Sequence, residues 1–115
     1  MTYVSGFLAA VPEENKSAYL ESARKSWPLF RDYGATEMRE FWEDLVPDGE
    51  VTSFPMAVKR QDGEKVVFSW ILWPDRESAE RCWQSMETDP RWKEMEMPFD
   101  GKRMMWGSFE TLFKV

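Results

Sequence analysis

At 115 residues, 43% hydrophobic and 31% charged, the chain has the size and composition of one globular domain, expected to span residues 1–115. A formal net charge of −6 without any Lys/Arg cluster argues against nucleic acid as a partner. No apolar run approaches about 18 residues and no basic-then-apolar leader opens the chain, so neither a membrane span nor a signal peptide is expected.

Histidine is absent, which excludes Ser–His and Cys–His catalysis and any His-ligated metal or haem. We expect no metal and no cofactor. The single cysteine cannot form an internal disulfide, which fits a reducing cytoplasm. Aromatic residues stand out at 16%, and large rings belong in cores, interfaces and ligand pockets.

Residues 2–11 read as a strand with Val4, Leu8 and Ala10 on one face and Tyr3, Phe7 and Val11 on the other. Gly6 leaves a gap on the first face where another group can approach. Residues 13–33 read as a helix, with Tyr19, Ala23, Trp27, Phe30 and Tyr33 on one stripe. The period runs through Pro28, which should kink the helix, and Gly34 ends it. Residues 35–44 read as a more polar strand, with Met38, Glu40 and Trp42 on one face and Glu37, Arg39, Phe41 and Glu43 on the other. A loop over 45–53 leads to a stretch expected to be extended, Phe54 to Arg60, and then to a turn at 61–64.

Residues 66–73 are the central strand, apolar on both sides. Val66, Phe68, Trp70 and Leu72 face one way, and Val67, Ile71 and Trp73 face the other beside Ser69. Pro74 stops the strand and Asp75 should cap a helix whose buried stripe is Ala79, Cys82, Trp83 and Met86. A long connection over 89–102 precedes a last strand, Arg103 to Val115.

The order is strand, helix, strand, strand, helix, strand, with the 54–60 stretch as an optional extra. This is the α+β, ferredoxin-like βαββαβ pattern, a four-stranded antiparallel sheet with two helices on one face. The other face would carry more apolar surface than a soluble monomer usually leaves bare, so we expect a homodimer, a dimeric α/β barrel in which two such faces meet.

Several stretches resemble a known pattern. They are Met97-Pro98-Phe99-Asp100-Gly101-Lys102-Arg103-Met104 with Gly107, Phe109 and Glu110; Val67-Phe68-Ser69-Trp70; Val51-Thr52-Ser53-Phe54 with Ala57-Val58; Tyr3-Val4 with Gly6-Phe7; and Val46-Pro47-Asp48-Gly49. Together they resemble the YbaA-like family of unknown function, in the dimeric α/β-barrel superfamily. The resemblance implies a small bacterial protein that dimerises through its sheets, with no established reaction. Ser5 and Ser108 depart from the pattern, which more often has an acidic residue and a glycine there. The superfamily also holds cofactor-free oxygenases, and haem-degrading enzymes whose familiar types use a histidine that this chain lacks.

Three groups of residues are functional candidates. Asp100 and Arg103 could form an acid/base or anion-binding pair, although a tight turn with a structural ion pair is the simpler reading. Phe54, Ser69, Trp70, Trp73 and Trp106 could line a ligand cavity between sheet and partner, or only fill the dimer core. Among the acids of residues 37–44, Glu40 alone is singled out, because it shares a face with Met38 and Trp42. We therefore expect a homodimer binding a small apolar or aromatic ligand. The alternative is a cofactor-independent oxygenase or isomerase using Asp100, Arg103 or Glu40.

Overall fold

The computed structural model describes residues 2–115. Its sheet has four strands, β1 (Tyr3–Pro12), β2 (Glu37–Trp42), β3 (Glu64–Trp73) and β4 (Met105–Glu110), in the order β2-β3-β1-β4 with every pair antiparallel. Two main helices, α1 (Lys16–Asp32) and α3 (Arg76–Ser85), complete an α+β architecture consistent with the ferredoxin-like pattern.

The doubly apolar 66–73 stretch lies inside the sheet, because β3 pairs with β1 over ten residues and with β2 over six. Val67, Ser69, Ile71 and Trp73 are all buried beneath the helices. Ile71 and Trp73 form one core with Phe30 of α1 and Ala79 and Cys82 of α3. On the opposite face of β3 only Val66 is buried, whereas Phe68 remains 40% exposed. The chain thus covers one side of its sheet with helices and leaves most of the other side open.

Local chemistry explains the helix ends. Gly34 takes φ of +108°, and Ala35 N–H reaches back to Phe30 O at 3.0 Å while Gly34 N–H reaches Arg31 O at 2.9 Å. This closes α1 with the paired bonds of a Schellman stop. The helix passes through Pro28 as one element, with Glu13 and Glu14 in a 3₁₀ turn ahead of it. Asp75 caps α3 as expected, accepting from Ser78 N–H at 2.8 Å.

Three expectations need correction. The 54–60 stretch is not extended: Phe54–Ala57 form a single helical turn, α2, because Ser53 accepts from Met56 N–H at 3.1 Å and Pro55 suits a first turn. Through Val58, α2 covers one end of the open face against Ala10 and Val66. The last strand ends at Glu110, opposite Tyr3; Thr111 still bonds Thr2 O through its N–H at 3.2 Å, and Leu112, Phe113 and Val115 project beyond the sheet. Met86 lies just past α3 and is 44% exposed, outside the buried stripe.

The 89–102 connection is fastened to α1. Ser22 Oγ donates to Glu96 O at 2.6 Å, Asn15 Nδ2 donates to Pro98 O at 2.9 Å, and Phe99 packs on Tyr19.

Candidate functional site

Strand alternation turns Met38, Glu40 and Trp42 of β2 toward the helices. Glu40 stands opposite Ser69 of β3, and the stripe of α1 lies above it. The Tyr19 hydroxyl donates to Glu40 Oε1 at 2.6 Å. Burial raises the Glu40 carboxyl above its ordinary range, against the opposing pull of hydrogen bonds from Tyr19 and Ser69. Burial, and next the Glu40 charge, raise the Tyr19 phenol strongly, so Tyr19 stays a donor.

Glu40 lines two openings along the α1–β2 seam. One is a cleft of about 400 Å³ walled by Ala23, Trp27 and Met38, with Arg24 and Glu37 at it. The other, about 130 Å³, lies between Tyr19, Leu20 and Trp42, with Lys16 resting over the Trp42 ring at 5.1 Å. The other sheltered carboxylates are neutralised by arginine: Glu43 by Arg60 at 2.7 Å, Glu64 by Arg103 at 2.7 Å and Asp89 by Arg91 at 2.8 Å. Among the described residues, Glu40 takes part in no such pair.

Asp100 and Arg103 sit at a corner of the sheet. Arg103 forks onto both Glu64 oxygens at 2.8 and 2.7 Å, and donates to Lys59 O at 2.9 Å and to Asp100 Oδ2 at 3.0 Å. Arg103 therefore ties the entry of β4 to the turn between α2 and β3. Its hydrogen bonds hold Asp100 and Glu64 below the ordinary carboxylate range. Neither Asp100 nor Arg103 lines the clefts around Glu40.

The five wall residues divide between two faces. Phe54 and Trp70 are on the open side, where rings of Phe54, Phe68, Phe41 and Trp70 follow one another at centroid distances of 6.3, 5.8 and 4.8 Å. Trp70 Nε1 donates to Glu37 at 2.9 Å. Ser69, Trp73 and Trp106 are on the helix side. Trp73 is fully buried and donates to Ser5 Oγ at 3.2 Å, and Trp106 lies against Phe7 and Trp83. Ser5 in turn bonds Ser108 at 2.9 Å directly across the β1–β4 pair, so the two positions that depart from the family pattern meet each other.

Sequence reasoning singled out Glu40 but not its neighbours Tyr19, Trp27 and Met38 as parts of one site. Their shared signal was the apolar stripe of α1 and the alternation of β2. Which helix covers which strand is not written in either. Cys82 is buried, and burial pushes its thiol up to about 12, so it serves as a small core group. Among the described residues, no three acidic or cysteine side chains gather as metal ligands, and no helix is long and apolar enough to cross a membrane.

The fold and seam define a class: a small α+β protein with a four-stranded antiparallel sheet, two main helices on one face and a carboxyl-bearing cleft between helix and edge strand. Residues 2–101 match the family described as a protein of unknown function, DUF1428. Over 114 residues the chain is 52% identical to the uncharacterized protein YbaA of Escherichia coli strain K12 and to that of Shigella flexneri, with 97% of each chain covered. The protein belongs to this family.

Proposed function

We propose that the protein works as a homodimer closed through its open sheet faces, a dimeric α/β barrel that binds a small apolar or aromatic molecule. The observation that carries this reading is the uncovered face itself. Phe41, Phe54, Phe68, Met105 and Phe109 are each more than a third exposed there. Aromatic side chains bury about 150–250 Å² apiece, so this group rivals the largest patch usual on a monomer. Gly6 and Gly107 stand opposite each other; the Phe109 ring lies over Gly107, 3.3 Å from where its Cβ would be, while nothing lies within 4 Å of where a Gly6 Cβ would be. A ring from a second copy or a ligand would seat there, with Phe54 and Trp70 as its aromatic wall. A cytoplasmic setting suits the single buried thiol.

Native mass spectrometry of gently purified protein tests the reading. A dimer carrying an extra small-molecule mass is the expected result. A monomer at micromolar concentration would sink the dimer, and an empty dimer that stays empty after incubation with aromatic compounds would sink the ligand.

A second reading is favoured by Glu40: a cofactor-independent oxygenase or isomerase in which this carboxyl moves a proton on an enolic or phenolic substrate. Burial, an apolar cleft and a fixed Tyr19 partner are the conditions that tune a carboxyl for acid–base work. Of the three acid/base candidates, Glu40 is the one facing a cleft. Asp100 and Arg103 would serve by anchoring the last strand. Turnover that survives Glu40→Gln would defeat this reading.

A further inference from the structure

We infer that the cleft beside Glu40 binds a small organic cation, a protonated amine carried on an apolar or aromatic body. A carboxylate removed from water is costly unless a positive charge or a dense set of donors compensates it. Elsewhere the protein meets that requirement with arginine, at Glu43, Glu64 and Asp89. At Glu40 it supplies only the hydroxyls of Tyr19 and Ser69, and Glu40 lines the cleft.

The walls fit the body of such a ligand. Trp27 lines the cleft with an indole, a ring type that attracts ammonium groups, and Ala23 and Met38 add apolar surface. A volume of about 400 Å³ falls in the range of small-molecule sites. The cations nearby do not pair with Glu40. Arg24 borders the cleft at the surface, 3.9 Å from the exposed Glu21, Arg39 is on Glu37 at 3.2 Å, and Lys16 rests over Trp42 on the far opening. An anionic ligand would meet the Glu40 carboxyl; Glu37 also borders the cleft, but its oxygens are held by Trp70 at 2.9 Å and Arg39 at 3.2 Å.

The inference rests on reading Glu40 as the group that meets a ligand, and it is independent of the dimer. Three probes of one shape separate the cases: benzylammonium, benzyl alcohol and benzoate, titrated into isotope-labelled protein at about pH 7.5, where free amines of this kind are protonated. The readout is NMR shifts of the Trp27 indole N–H, the Met38 methyl and the β2 amides. Benzylammonium should shift these signals saturably, at least about tenfold more tightly than benzyl alcohol, a gap of roughly 1.4 kcal/mol, and benzoate should leave them in place. Glu40→Gln should erase the preference for the cation, and Trp27→Leu should weaken binding yet keep it. Equal affinity for benzyl alcohol would overturn the cation. If Glu40→Gln still weakened that neutral binding, Glu40 as the ligand-facing group would survive. Probes that shift no signal in the cleft would overturn both. The comparison of probes on the unaltered protein needs no variant to fold.

Discussion

The Tyr19 hydroxyl and the Glu40 carboxylate meet over 2.6 Å across the seam between α1 and β2, and they bias each other's protonation. The carboxylate makes the phenol harder to ionise, and the phenol's hydrogen bond partly offsets the burial that raises the carboxyl. The balance leaves Glu40 raised, a sheltered acid beside an open cleft.

That shift sets a direction for stability. A carboxyl with a folded pKa above its unfolded value binds its proton more tightly when folded. Its contribution is therefore greatest below the unfolded value and is lost as pH rises through the folded one. Glu40→Gln, which keeps an acceptor for Tyr19, should melt above the unaltered protein at neutral pH. The gap should close as the pH falls below about 4. Lys16, Tyr19, Arg24 and Glu37 also face this region, so the difference between the two melting profiles is the quantity to follow, by differential scanning calorimetry. A variant less stable at neutral pH would contradict the direction.

Arg103 carries the opposite dependence. Its fork holds Glu64 low, so the stability due to Glu64 is present above the unfolded carboxyl range and fades as pH falls through the folded value. Arg103→Gln should lower the melting temperature at neutral pH more than Asp100→Asn does, and it should flatten the acid limb of the stability profile. Arg103→Lys should recover little, because an ammonium cannot fork onto both Glu64 oxygens while holding Lys59 O. Thermal melts of the three variants across pH test the order.

Ser5 is fully buried and accepts the Trp73 indole N–H. Ser5→Ala leaves that donor unpaired in the core and should cost about 1–3 kcal/mol in urea unfolding. Ser108→Ala should cost less, because Ser5 still serves Trp73. Equal losses would mean that the Ser5–Ser108 bond, not the indole, is the important contact.

Gly6 separates the monomer from the dimer. A Cβ there meets nothing within 4 Å inside one protomer, so Gly6→Val should fold, and a β-branched residue suits a strand. In the proposed dimer the same methyl groups would block the space over Gly6. Sedimentation velocity should show Gly6→Val shifted toward monomer by at least about tenfold in dissociation constant with an unchanged circular dichroism spectrum. A variant that dimerises as well as the parent would remove Gly6 from the interface.

Much of the local structure was legible because its causes lie within a few residues. Pro74 and Asp75 break one element and cap the next, Gly34 closes α1, and the two faces of β3 follow from alternation. The turn at Phe54–Ala57 was missed because four residues are too few to show a helical period, although Ser53 and Pro55 are themselves a helix-start signal. The proposed ligand wall joined Ser69 to Trp70, neighbours that alternation must place on opposite faces.

From its own residues the chain determined, apart from residues 54–60, which main segments are strands and helices, which face of each is apolar, and that histidine chemistry is absent, since composition and period are local properties. The stacking of α1 over β2, the sheet order β2-β3-β1-β4 and the partners of Arg103 up to 44 residues away were decided only by the tertiary fold. A repeat of two or of three to four residues fixes the direction in which a side chain points. What it meets there depends on how whole elements pack, and that packing brought Tyr19 to Glu40 and paired no arginine with it.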